Sequence, residues 1–306
     1  MKIVSLLPSA TEVVFALGLG DDLSGVTFEC DYPPEARTKP VVSDTALPTD
    51  RPLSSREIDE EVHGRMDNQE PLYVLDKDLI RDIQPDLILT QDLCRVCAVP
   101  TGMVQDALDE LGCTSTVVSM DPHSLDGILE SFMDVGRATA TEERARELVA
   151  TLRERIEAVK ARASRLPTIR TFCMEWLDPP FAGGHWIPEM VGLASGHNLL
   201  TGPGERSRQV TWREIADAGP EVVVFMPCGY YLDEAEEEAA RIYRVPEFRE
   251  TTAFASGTVY ATDASSYFSR PGPRIVDGLE IMAWAIHPDE YPQPADDAIA
   301  RVAAPG

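Results

Sequence analysis

The sequence predicts an α/β protein of two Rossmann-like lobes with parallel sheets, joined by a long helical bridge. Three observations predict it. Short apolar runs alternate with helix-period segments on both sides of the chain's middle. The longest helical pattern, His123 to Leu166, lies between them. A chain of 306 residues can bury two moderate cores. The boundaries follow as an N-terminal lobe over 1–122, the bridge over 123–166 and a C-terminal lobe over 167–306.

In the bridge, Leu125, Ile128, Leu129 and Phe132 recur at helical spacing. After a break at Gly136, Leu148, Val149, Leu152, Ile156 and Val159 do the same. Thr139 followed by Glu142 reads as a capping box that restarts the helix, and Pro167 stops it.

The first lobe opens on a strand over Lys2–Leu7, then a helix capped by Ser9 or Thr11 and ended by Gly18 or Gly20. A strand over Leu23–Phe28 leads into Cys30-Asp31-Tyr32-Pro33. Residues 40–70, polar and acidic, read as a surface excursion. A helix over Asp76–Ile83 precedes the strand Leu87–Thr90, which delivers Asp92-Leu93-Cys94 and Cys97. A helix over Met103–Leu111 and a strand over Thr114–Met120 complete the lobe. In the second lobe, strands over Ile169–Met174, Glu221–Met226 and Val259–Thr262 alternate with helices beginning at Pro188, Trp212, Glu234 and Ile275.

Composition narrows the function. Hydrophobic content of 43% and charged content of 26% are those of a folded protein. The net charge is −25 and lysine occurs at four positions, so no clustered cations await nucleic acid. Such acidity reads as a halophile-like, hydrated surface suited to a salty cytoplasm, with recruitment of a basic partner as the alternative. No apolar run reaches ~18 residues, so the chain is expected not to span a membrane. The N-terminus reads as a strand and helix start, not a leader. The expected location is therefore the cytoplasm, or outside it if a natural leader is missing from this chain. Six cysteines then read as thiols or metal ligands rather than a disulfide framework.

The chemistry-bearing residues lie just past strands: Cys30, Tyr32, Asp92, Leu93, Cys94, Cys97, Glu175, Trp176, Phe181, His185, Trp186, Cys228, Tyr230, Tyr267, Phe268 and Arg270. Open α/β sheets bind ligands at the carboxyl ends of their strands, so these residues are expected to line one aromatic-rich small-molecule cleft. Cys94-x-x-Cys97 fits small packed side chains, ligands to a metal ion or iron–sulfur cluster, or a redox pair. Cys228, Cys30, His185 and Glu175 are the further candidates for completing a metal site. Trp176, Trp186, Tyr267 and Phe268 fit core packing equally, but Trp176 and Trp186, in a loop broken by prolines and glycines, read rather as ligand contacts. No Walker loop, dinucleotide fingerprint or Gly-x-Ser-x-Gly is visible.

Ser5-Leu6-Leu7-Pro8-Ser9-Ala10-Thr11-Glu12, Cys30-Asp31-Tyr32-Pro33 and Pro85-Asp86-Leu87-Ile88 resemble the vitamin B12 and iron-siderophore substrate-binding proteins of ABC importers, the cobalamin-binding branch most of all. Pro179-Pro180-Phe181 and Ser269-Arg270-Pro271-Gly272-Pro273-Arg274 strengthen the resemblance, which covers residues 2–288 as one binding domain. It implies non-enzymatic binding of cobalamin, another corrinoid or a related metal chelate, for ABC uptake or intracellular handling. It also implies a permease partner. Tyr32 would stack on one face of a corrinoid, the Asp92-Leu93-Cys94 loop would take the place of a cleft aromatic, and Phe181 and Tyr267 would line the other lobe. The alternative is a cytoplasmic protein with a cysteine-lined metal or iron–sulfur site, catalytic or not. Family transporters carry a permease-docking acid on each lobe, yet the matching stretch Cys97–Gly102 here holds none.

Overall fold

The structure is a computed structural model that describes residues 1–303 apart from Pro52 and 94–97. Two compact α/β units emerge from the contacts: 1–122 with 126–151, and 123–125 with 152–306.

The chain begins β1 (Ile3–Ser5), α1 (Pro8–Ala16), β2 (Leu23–Thr27), β3 (Val41–Thr45), α2 (Ser55–Asp67), β4 (Tyr73–Leu75), α3 (Lys77–Ile83), β5 (Leu87–Thr90), α4 (Thr101–Leu111) and β6 (Thr116–Ser119). These strands form a six-stranded sheet in the order β4-β3-β2-β1-β5-β6. It is parallel except where β4 pairs antiparallel with β3. Val4, Leu6, Val42, Ile88 and Val104 belong to its core. The order reverses at β1, which lies between β2 and β5, and that reversal places a switch point at their carboxyl ends.

Two local expectations change here. Proline at the first turn starts α1 and Leu7 is its N-cap, without a side-chain cap, so Ser9 and Thr11 sit inside the helix. Thr11 Oγ1 instead meets the Cys30 thiol at 3.0 Å. Residues 40–70 are no mere excursion: they supply β3 and the helix α2, whose Ser54–Glu57 capping box is complete.

The helical stretch forms α5 (Leu125–Ala138) and α6 (Glu142–Ala163). The interruption lies at Thr139–Thr141, beyond the expected break at Gly136. Gly136 lies inside α5, where a Cβ would stand 2.6 Å from that of Ala145, so close packing rather than a helix break accounts for the glycine. Thr139 Oγ1 donates to the Val135 carbonyl at 2.8 Å and so closes α5 rather than capping α6.

The chain continues as β7 (Ile169–Leu177), β8 (Pro180–Ala182), α7 (Ile187–Leu193), β9 (Gly196–Asn198), β10 (Arg208–Gln209), α8 (Trp212–Ala218), β11 (Val222–Phe225), α9 (Leu232–Ala239), α10 (Thr252–Ser256), β12 (Val259–Thr262), α11 (Ala264–Tyr267), α12 (Ile275–Ile286) and β13 (Ile299–Arg301). The sheet order is β10-β8-β7-β11-β12-β13, with β9 also on β7. Its centre, β7-β11-β12, is parallel. The expected parallel strands form the core of both sheets, to which β4, β8, β10 and β13 add antiparallel pairings. Val222–Phe225 is buried throughout, as a central strand covered on both faces requires. No helix among the described residues is long and apolar enough to cross a membrane.

Candidate functional site

In the first unit, the turn after β2 carries Phe28 and Tyr32, 41% and 45% exposed. Exposed aromatics on a loop carry more functional weight than buried ones, because packing does not explain them. Arg37 holds the loop through the Asp31 carbonyl at 3.4 Å and its carboxylate at 3.8 Å. After β5 come Asp92, exposed, and Leu93, half-buried. The Asp92 carboxylate accepts from the Thr101 backbone N–H at 2.9 Å, so it anchors the start of α4. Cys94 and Cys97 lie outside the described residues.

The second unit assembles more. Its parallel strands β7, β11 and β12 deliver three segments at one edge. The β7–β8 hairpin carries Trp176 opposite Phe181 as cross-strand partners. Register shifts between Met174 and Trp176, leaving Glu175 as the extra residue of a bulge, after which Leu177 rejoins the core of Phe172 and Met174. The segment after β11 brings Tyr230 edge-on to Trp176, ring centroids 5.6 Å apart and planes at 73°. The segment after β12 begins with Asp263, whose carboxylate accepts from the Ser266 N–H at 2.8 Å and caps α11. It ends with Tyr267 beneath the Arg274 guanidinium, 5.8 Å from the ring centroid. The Ser265 N–H donates to the Tyr230 carbonyl at 3.1 Å and ties this segment to the previous one.

Burial pushes the Tyr230 phenol up, helped by the charge of and hydrogen bond to Glu238. Burial followed by Asp263 does the same to Tyr267. Both therefore stay neutral: an apolar ring with a hydroxyl at its tip. Burial also raises Glu175, against the pull of its hydrogen bond to Ser207. The resulting edge is aromatic, with a few polar groups and the two arginines Arg270 and Arg274 on one loop.

Two of the expected contacts are buried. Trp186 is 6% exposed and its indole N–H donates to the Phe268 carbonyl at 3.0 Å; Phe268 is 2% exposed. Both pack inward because the loop is pinned. A Cβ on Gly184 would stand 2.2 Å from the Ser207 nitrogen, so residues 203–207 cross directly over it. His185 exchanges two backbone hydrogen bonds with the same strap, to Glu205 and from Gly204. It does so at φ +54, a conformation that few side chains favour. Its ring lies 5.8 Å from that of His123 and 5.7 Å from that of Trp186. Burial, then His123 and Arg206, hold its pKa below the usual 6.5.

Among the described residues no three His, Cys, Asp or Glu side chains are grouped to hold a metal ion. His185 and Cys228 therefore gain no third partner there, and the Cys228 thiol is free. Phe28 and His123 were not marked as contacts by sequence. Phe28 is the last apolar residue of a predicted strand, and only its exposure distinguishes it. Tyr230 follows a strand, the signal by which the sequence marked it.

The sequence profile of the family described as "Periplasmic binding protein" matches residues 3–266. The chain is 24% identical over 296 residues to an ABC transporter substrate-binding lipoprotein, YvrC, of Bacillus subtilis, covering 95% of this chain and 81% of that one. It is 25% identical to the vitamin B12-binding protein of Vibrio cholerae, over 91% of this chain and 86% of the other. A cobalamin-binding protein of Halobacterium salinarum is 25% identical, over 94% and 69%. Among solved structures, the periplasmic vitamin B12 binding protein BtuF of V. cholerae superposes with a TM-score of 0.67, at 22% identity over 93% and 96% of the two chains. A periplasmic heme binding protein of Pseudomonas aeruginosa gives 0.73, at 19% identity over 100% and 99%. These findings overturn the cytoplasmic expectation, because the matching family is periplasmic and the Bacillus relative a lipoprotein. That expectation rested on where the chain begins, which carries no information about location.

Proposed function

Because the chain belongs to the periplasmic binding protein family, it is a non-enzymatic solute receptor of the ABC-uptake kind, and we propose that its guest is a corrinoid, cobalamin above all. The observation that carries this reading is the aromatic edge of the second unit, where Trp176 meets Tyr230 and Tyr267 lies under Arg274. A broad, flat chelate presents ring edges and amide-bearing arms. Neutral phenols and indole faces suit it, giving apolar contact over most of the area with a few directed hydrogen bonds. The Vibrio and Halobacterium relatives, both named for this ligand, support the same choice. In the first unit, Tyr32 and Phe28 offer the matching kind of surface, with Asp92 and Leu93 on the same edge of their sheet. The partner that fits this function is an ABC permease.

Heme is the second reading, favoured by one observation. Arg270 and Arg274 stand on one loop, and paired guanidinium groups suit the carboxylates that heme carries. Titration calorimetry with cyanocobalamin and with hemin, run in parallel, decides between them. Saturable one-site heat with cyanocobalamin is expected, with weaker or no heat from hemin. Saturation by hemin alone would reassign the guest, and silence with both would remove the tetrapyrrole class.

A further inference from the structure

Helix α9 carries one residue out of place. Its buried face runs Leu232, Ala235, Glu238 and Ala239, the spacing of an amphipathic helix with an acid at a position that should be apolar. The other acids of α9, Asp233, Glu234, Glu236 and Glu237, are exposed, whereas Glu238 is 7% exposed. Glu238 also lies in the last turn, where the negative end of the helix dipole opposes a carboxylate. Leucine there would serve both the helix and the core better, so the buried acid has another task.

Its contacts name that task. The neutral Tyr230 phenol donates a hydrogen bond to the Glu238 carboxylate. On the solvent side, Arg241 Nη1 donates to Glu238 Oε1 at 3.4 Å. Glu234 and Arg241 are the other charges felt at the phenol. Tyr230 in turn stands edge-on to Trp176, with ring centroids 5.6 Å apart. A chain of contacts thus runs from the surface of α9 through Glu238 and Tyr230 to the aromatic edge of the site. The rest of Tyr230 is held at its base. Its backbone N–H donates to the Pro227 carbonyl at 3.2 Å, its own carbonyl accepts from Ser265, and the ring packs against the core of the unit. The hydroxyl is at the far end of the ring, and a ring held at both ends keeps one position against its neighbour.

We propose that Glu238 is a positioning residue for the ligand edge: through the Tyr230 hydroxyl it holds that ring against Trp176, so that the two present one preformed aromatic surface. The consequence for binding rests on the corrinoid reading above; the hold on the ring pair does not.

Three variants separate this task from packing. E238L removes the acceptor and keeps a side chain of similar size, E238Q keeps an acceptor oxygen without the charge, and Y230F removes the donor. In fluorotryptophan-labelled protein without ligand, the Trp176 resonance, assigned through W176F, should shift in E238L and in Y230F. E238L/Y230F should match Y230F, and E238Q should stay near the wild type. Cyanocobalamin affinity should follow the same order, falling about tenfold in E238L and in Y230F with no further loss in the double variant, the scale of coupling within one side-chain network. A merely structural role for Glu238 predicts instead that E238L acts as strongly in the Y230F background as alone. Should E238L not fold, E238M carries the same comparison. A Trp176 resonance unmoved by removal of the acceptor, or an effect of that removal that persists in Y230F, would overturn the proposal. If the wild type binds no cyanocobalamin but the resonance behaves as described, the corrinoid reading fails and the positioning role stands.

Discussion

Two tryptophans ten residues apart show how burial divides roles that sequence treats alike. Trp176 is half-buried against Tyr230, whereas Trp186 is enclosed and spends its N–H on a backbone carbonyl. W176A should therefore weaken corrinoid binding about tenfold, an aromatic contact being worth about 0.5–1.5 kcal/mol beyond its area, and leave the urea midpoint nearly unchanged. W186A should do the reverse, lowering stability by about 3–5 kcal/mol as buried aromatics do. Calorimetry and urea melts on both variants check the pair; loss of affinity in W186A at unchanged stability would return Trp186 to the ligand set. His185 yields a pH prediction. Burial and the neighbouring His123 and Arg206 hold its folded pKa below 6.5, so the fold favours the neutral ring. As pH falls through about 6.5, the unfolded chain takes the proton first and stability is lost; above that value the contribution is complete. H185N keeps a residue that tolerates φ +54 but does not titrate. The Tm difference, wild type minus H185N, should accordingly shrink on acidification, the carboxylates common to both chains cancelling. A difference that stays flat or widens would contradict the assignment.

At the scale of elements, α12 holds the sharpest conflict between propensity and packing. Alanine is a better helix former than glycine by about 1 kcal/mol. At position 278, however, its Cβ would press on the Tyr267 carbonyl at 2.0 Å, a backbone atom with no rotamer to yield. Overpacking costs about 1–3 kcal/mol, so G278A should be net destabilising and should displace the Tyr267 segment, lowering both the urea midpoint and corrinoid affinity. A stabilised G278A would mean that α12 does not bear on that segment. The helix itself was legible over Ile275–Ile286, as were α8 at Trp212–Ala218 and β12 at Val259–Thr262, because strong apolar periodicity or continuity marks buried elements. Others left no such mark. β3 has only Val41 and Val42 to announce it, β8 and β10 are too short for a period, and β13 hides in a proline-rich tail. Within the site, the turn chemistry placed Tyr267 past a strand, whereas Trp176 and Phe181, read as loop residues past a strand, lie within β7 and β8. Sequence could not show that the strap 203–207 crosses Gly184 and drives Trp186 inward, since that contact joins segments about twenty residues apart.

For the whole molecule, the dominant fact is 52 acidic against 27 basic side chains. Several of the basic ones are paired on the surface: Arg213 with Asp217 and Glu250, Arg137 with Glu130 and Asp134, Arg51 with Glu57. Salt acts on these charges in opposite directions. It weakens each exposed pair, worth about 0–1 kcal/mol apiece, and it screens repulsion among the carboxylates that no cation can match. The count decides the sign, because the net charge of −25 leaves 25 negative charges uncompensated even where one arginine bridges two acids. The Debye length falls from about 10 Å at 0.1 M to about 3 Å at 1 M, shorter than the spacing of neighbouring surface charges. Sodium chloride should therefore raise Tm steeply up to about 1 M and then level off, once screening is complete. Chloride is the right anion for the test, since sulfate would stabilise any fold by exclusion from its surface. A Tm that falls over this range would mean that the arginine pairs outweigh the repulsion, and the surface would then be a network of ion pairs rather than an excess of hydrated acid.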